Sequence, residues 1–106
     1  MKPSKMKLKF YKMADFSSAH ITKKDTEILQ TQGNGIGCTG NLSFSCLAYD
    51  EGYFINVSCI TWEDCKSFKL SKHFWNLVKI TQAAKYSHIN IDRDGEEYDD
   101  LETFDW

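Results

Sequence analysis

The chain has 106 residues, 42% hydrophobic and 14% aromatic, with a formal net charge of −2. That is room for one domain with one core, expected to span residues 1–106. No apolar run approaches the length of a membrane-spanning helix, and a single proline, Pro3, with no Ser/Gly tract leaves no linker or low-complexity segment.

The small net charge conceals an asymmetry. Residues 1–24 carry seven lysines against Asp15 alone, while residues 92–106 carry eight acids against Arg93. Such a bipolar chain can pair its two ends with each other or offer each to a different partner. The start, MKPSKMKLKF, has lysines but no apolar h-region, so a cytoplasmic protein is expected. In a reducing compartment Cys38, Cys46, Cys59 and Cys65 are expected as free thiols. The sequons at Asn41 and Asn56 would then never meet the glycosylation machinery.

In chain order, Met6 to Met13 alternates Met6, Leu8 and Phe10 with Lys7, Lys9 and Tyr11, predicting a half-buried strand. Thr22 is a good N-cap with Asp25 three residues on, predicting a short helix to about Gln32 with Gly33 at its C′ position. After a glycine-rich loop, Leu42, Phe44, Cys46 and Ala48 alternate on one strand and Tyr53, Ile55, Val57 and Cys59 on the next. Tyr49-Asp50-Glu51-Gly52 predicts the hairpin turn between them. From Ser71, Phe74, Leu77, Val78, Ile80, Thr81 and Ala84 share one face of a longer helix. His88 to Asp92 is a short strand, and Asp94-Gly95 turns the chain into the acidic segment. The pattern is an α+β fold of β-α-β-β-α-β order, a small antiparallel sheet with two helices packed on one face.

Several motifs fail on specific residues. Gly35-Ile-Gly37-Cys-Thr-Gly40 spells a dinucleotide fingerprint, but a helix precedes it and a strand follows, the reverse of what pyrophosphate binding needs. Asn90, Asp92, Asp94 and Gly95 resemble the opening of a calcium loop, yet position twelve is Leu101 and the acid comes one place late at Glu102. The cysteines are separated by seven, twelve and five residues, with no C-x-x-C pair for zinc. Neither a metal nor a cofactor is therefore expected. Ser17, Ser18 and His20 lie close together without a nucleophile elbow. Cys65 with His20 or His88 is a pairing that any chain of this size with four cysteines permits, and paired carboxylates in the tail could do acid–base chemistry only inside a pocket, so the expectation is a protein without catalysis.

Two charged segments suggest partners. Lys5, Lys7, Lys9 and Lys12 with Phe10 and Tyr11 could meet nucleic acid. Against this, the chain has 12 lysines but one arginine, and no RNA-recognition aromatic motif. The segment 92–106 interleaves Asp92, Asp94, Glu96, Glu97, Asp99, Asp100, Glu102 and Asp105 with Leu101, Phe104 and Trp106. A disordered acidic tail does not normally carry such anchors. Phe104 and Trp106 are expected to dock, leaving the carboxylates outward as an acidic surface that can occupy a site built for phosphates.

Phe16-Ser17-Ser18-Ala19-His20-Ile21-Thr22, Gly52-Tyr53-Phe54-Ile55-Asn56-Val57, Ile91-Asp92-Arg93-Asp94-Gly95 and the closing Phe104-Asp105-Trp106 follow one another in the order found in a small bacterial family. The chain resembles that family, known only as a domain of unknown function. The resemblance implies a setting on plasmids, phages and other mobile elements, and no established chemistry. Short proteins in that setting often antagonise host defences, restriction and CRISPR systems included, by stoichiometric binding, and the acidic surface then points to a basic protein surface on a host nuclease or defence complex. The alternatives are a nucleic-acid-associated accessory protein using Lys5, Lys7, Lys9 and Lys12, and a small enzyme with a Cys/His site.

Overall fold

The computed structural model describes residues 12–34 and 38–106. Its elements are β1 (Met13–Ser17), α1 (Lys23–Gln32), β2 (Cys46–Tyr49), β3 (Gly52–Asn56), α2 (Trp62–Ser67), α3 (Lys72–Ala83) and β4 (His88–Asp92), with a 3-10 turn at Ser18–His20. This is the α+β class in the expected strand order, with α2 as an additional, third helix. The sheet order is β1-β4-β3-β2. Strands β2 and β3 form an antiparallel hairpin in which Tyr49 faces Gly52 across Asp50-Glu51, and β3 is antiparallel to β4. The sheet is nevertheless mixed, because β1 lies parallel to β4 with Phe16 opposite Ile91. A parallel neighbour requires a long crossover, and here the hairpin and all three helices lie between the two strands.

The first strand sits later than the alternation at 6–13 predicts. Residues 6–11 lie outside the described residues, and the observed strand is Met-Ala-Asp-Phe-Ser at 13–17. Leu42 and Phe44 likewise precede β2 instead of belonging to it. Leu42 is buried, and Phe44 stacks on Phe74 with ring centroids 6.1 Å apart. Cys59 lies beyond β3 and is exposed, where a strand-face thiol was expected.

Local chemistry accounts for the helices. Thr22 and Asp25 form a reciprocal capping box at the start of α1, and Thr61 and Asp64 repeat it at α2. The side chain of Ser71 caps α3 by accepting from the Phe74 amide at 3.2 Å. Gly33 does not end α1 through a left-handed turn, since its φ is −75°. Its role is close approach: a Cβ there would stand 2.5 Å from the Cys46 carbonyl oxygen.

One face of the sheet carries the core. Ile89 and Ile91 of β4 and Ile55 of β3 meet Leu29 of α1 and Phe74, Leu77 and Val78 of α3, all essentially buried. Each such side chain contributes roughly 2–3 kcal/mol by leaving water. Ile80, expected on this face of α3, is 42% exposed, and Ala84 is exposed beyond the helix end. Among the described residues the opposite sheet face is uncovered. There Met13, Leu47 and Phe54 are exposed, Phe54 stacks on His88 at 5.1 Å, and the Tyr49 phenol reaches Asn90 Oδ1 and Asp92 Oδ2, each at 2.8 Å. Among the described residues no helix is long and apolar enough to cross a membrane.

Candidate binding groove

Because β1 and β4 are parallel, their C-terminal ends lie side by side at Ser17 and Asp92, next to the β2–β3 turn. The chain then reverses at Asp94-Gly95. A Cβ at Gly95 would fall 2.3 Å from the Phe16 carbonyl oxygen, so only glycine allows this return path. Residues 96–106 run back over the segment 15–21. The Ser17 amide donates to the Glu96 carbonyl at 2.8 Å, and the Glu96 amide donates to Asp15 Oδ2 at 3.1 Å. Farther on, the Phe104 amide donates to the Ala19 carbonyl at 2.7 Å and the Trp106 indole N–H to the Ile21 carbonyl at 3.1 Å.

His20 pins the middle of this segment. It is 2% exposed, and its ring lies between two backbone groups of the tail. The Tyr98 amide donates to Nε2 at 3.0 Å, and Nδ1 stands 2.9 Å from the Glu102 carbonyl oxygen. An amide N–H only donates and a carbonyl only accepts, so both bonds require a neutral ring with its proton on Nδ1. The His20 that the sequence offers as a possible catalytic base is thus fully engaged as a tether. Tyr98 closes the contact by packing against Phe16, ring centroids 5.3 Å apart, and donating its hydroxyl to the Asp15 carbonyl at 2.9 Å. The Phe104 and His73 rings meet near-perpendicular with centroids 4.7 Å apart, while Trp106 stays 54% exposed.

Between this returning segment, α1 and the hairpin turn lies a groove of about 430 Å³. Phe104 and Trp106 form an aromatic wall, Ser17 and Ser18 line its polar side, and Asp50, Glu51, Glu97 and Arg93 also border it. The backbone of Arg93 is fixed, its amide donating to the Glu51 carbonyl at 2.9 Å. Among the described residues its guanidinium has no ion-pair partner. Three carboxylates against one guanidinium leave the groove acidic. Together, the exposed Trp106 ring and the acidic lining suit a Lys or Arg side chain presented by a partner.

Of the acids read from the sequence, only Glu97 enters the groove. Asp92 lies on the sheet, where the Asp94 amide and then the Tyr49 hydroxyl hold its carboxyl below the usual range. Glu102 turns toward His73, with Oε2 3.7 Å from Nδ1, and Asp100 borders a separate apolar hollow with Tyr98, Leu101 and Ile80. Asp94, Glu96, Asp99 and Asp105 are exposed. Asp50 and Glu51, which complete the groove, read in sequence only as turn residues, since nothing local ties residue 50 to residue 97.

Residues 13–106 match the model of the C-terminal domain of a family of unknown function, DUF5983. The chain belongs to this family. No curated protein and no solved structure matches it.

In this DUF5983 domain the other sequence-derived sites do not assemble. Cys65 is fully buried, and burial, with Asp64 and Asp25 nearby, pushes its thiol up to about 12. It therefore holds its proton at neutral pH. Cys46 is buried and likewise raised to about 12, its thiol 3.9 Å from the Leu29 carbonyl. Asn90 and Asp92, two of the calcium-like positions, are both occupied by the Tyr49 phenol. Among the described residues no three His, Cys, Asp or Glu side chains converge on a metal position. Lys5, Lys7 and Lys9 lie outside the described residues. Lys12 is exposed, with its ammonium 5.8 Å from the centroid of the Tyr86 ring.

Proposed function

We infer that this domain is a non-enzymatic binding module that captures a basic segment of a protein partner in the groove between its hairpin turn and its acidic C-terminal segment. The observation that carries this reading is that Glu97, Asp50 and Glu51 line one groove together with the exposed Trp106 indole. A lysine or arginine inserted there would meet carboxylates around it and an aromatic face beside it. The wider acidic surface, Asp94, Glu96, Asp99 and Asp105, would steer such a partner without touching it. The mobile-element setting implied by the sequence resemblance makes a host nuclease or defence complex, anti-CRISPR or anti-restriction targets included, the class of partner such a surface would inhibit in the cytoplasm.

The test is affinity capture from a host lysate at low and high salt, comparing the unaltered domain with the variant Asp50→Lys, Glu51→Lys and Glu97→Lys. The expected result is a basic-surfaced partner held at low salt, released at high salt and lost with the variant. Retention of the same partner by a folded triple variant removes the groove from the interface. Reversal at Asp99 and Asp100 is expected to slow association, leaving the groove contact itself intact. Trp106→Ala is expected to weaken the complex by about 2 kcal/mol, the scale of a central interface tryptophan.

A further inference from the structure

A second groove, of about 510 Å³, lies between α2 and α3, lined by Trp62, Lys72, His73, Trp75, Asn76 and Lys79. Its chemistry is the inverse of the acidic groove. No carboxylate lines it. Among the described residues, the ammoniums of Lys72 and Lys79 have no ion-pair partner, and the indole N–H groups of Trp62 and Trp75 have no acceptor. The third indole N–H, that of Trp106, is taken by a carbonyl. Glu102, outside the lining, faces His73 at 3.7 Å.

The helix sets the spacing. Lys72 and Lys79 are seven residues apart, two turns along one face, which places their Cα atoms about 10 Å apart along the axis. Trp75 and Asn76 fall between them. Trp62, the first residue of α2, brings its ring to 6.2 Å from that of Trp75, inclined at 39°. Packing on the core accounts for one side of each half-buried ring. It does not account for two unpaired cations flanking two unbonded indole donors.

We propose that this groove binds single-stranded nucleic acid, with phosphodiesters on Lys72 and Lys79 and a base against the Trp62–Trp75 pair. Cations that track a backbone beside aromatic faces that stack bases are the recurring means of holding a single strand. An acidic peptide would satisfy the lysines but leave the indoles without a flat partner. A duplex buries its base faces, and the groove contains no arginine to read base edges. The site is therefore sequence-tolerant and salt-sensitive. Its lining shares no residue with that of the acidic groove.

The test titrates the full chain with oligo-dT, a duplex of equal length and poly-glutamate, followed by tryptophan fluorescence and anisotropy at several salt concentrations. Two phosphate contacts predict a slope of about −1.4 for log K against log salt with the single strand. Lys72→Ala with Lys79→Ala, both exposed and remote from the core, is expected to flatten that slope and weaken binding at least tenfold. Trp75→Leu is expected to weaken it at least fivefold, the low end for one stacked base. Lys5→Ala with Lys7→Ala and Lys9→Ala is expected to leave binding unchanged. The proposal is overturned by no binding of oligo-dT, by binding that survives the folded Lys72/Lys79 variant, or by equal binding of duplex or poly-glutamate.

Discussion

Asp25 and Ser71 stand 46 positions apart, yet one buried carboxylate serves the first turns of two helices. Asp25 Oδ2 accepts the Thr22 amide at 3.0 Å within α1, while Oδ1 accepts the Ser71 amide at 2.8 Å where α3 begins; the Ser71 hydroxyl also donates to Oδ2. Asp25→Ala is expected to destabilise the fold by about 3 kcal/mol or more, combining the loss of a cap with unsatisfied buried donors. Ser71→Ala, which keeps its amide bond to Asp25, is expected to cost about 1 kcal/mol. Urea unfolding of both variants checks the ranking; equal losses would mean that Asp25 acts on α1 alone.

The His20 tether makes a spectroscopic prediction. Nitrogen-15 NMR of the ring should show a neutral imidazole protonated at Nδ1, the form that both partners demand. His20→Leu removes both bonds and should cost about 2–3 kcal/mol. Hydrogen exchange should then accelerate at the Tyr98 and Phe104 amides before it does in β4.

Acid should loosen α2 through Asp64. The Thr61 backbone amide, with the Thr61 and Ser43 hydroxyls, holds this carboxyl below its usual value of 3.8. A depressed folded-state pKa gives stability that is present above that value and is lost as pH falls through the lower, folded-state one. Asp64→Asn should therefore be less stable than the unaltered domain at neutral pH, with the gap closing on acidification below about 3.8. A gap that stays constant between pH 5 and pH 2 would contradict the capping role.

Thiol reactivity should divide the cysteines by burial. Cys59 is exposed, whereas Cys46 and Cys65 are buried with thiols raised to about 12. Iodoacetamide at pH 8 should modify Cys59 within minutes and reach Cys46 and Cys65 only on unfolding, read by mass spectrometry of the peptides. Fast labelling of Cys65 in the folded domain would restore the enzymatic reading.

Features set by neighbours in sequence were legible. The Thr22–Asp25 box, the Asp50-Glu51 turn and the Phe74–Thr81 stripe each lie within one or two helical turns or one hairpin. The same box at Thr61–Asp64 was available too, but α2 spans six residues, too few to show a period. Long-range features were not legible. Met-Ala-Asp-Phe-Ser is a weak strand signal, and β1 is a strand because β4 pairs with it 75 residues later. The aromatic anchors of the tail were visible in composition. Their acceptors, the carbonyls of Ala19 and Ile21, carry no sequence signature, so the groove they help to wall was not.

The parallel pairing of β1 with β4 also bears on how the domain is made. Among the described residues strand β1 has one sheet neighbour, residues 88–92. During translation β1 must wait, its edge unpaired, until the ribosome has released nearly all of the domain. Contacts between such distant residues close slowly, and an unpaired strand is open to aggregation meanwhile. The hairpin and helices can form early, but the sheet can be completed only after synthesis has passed Asp92.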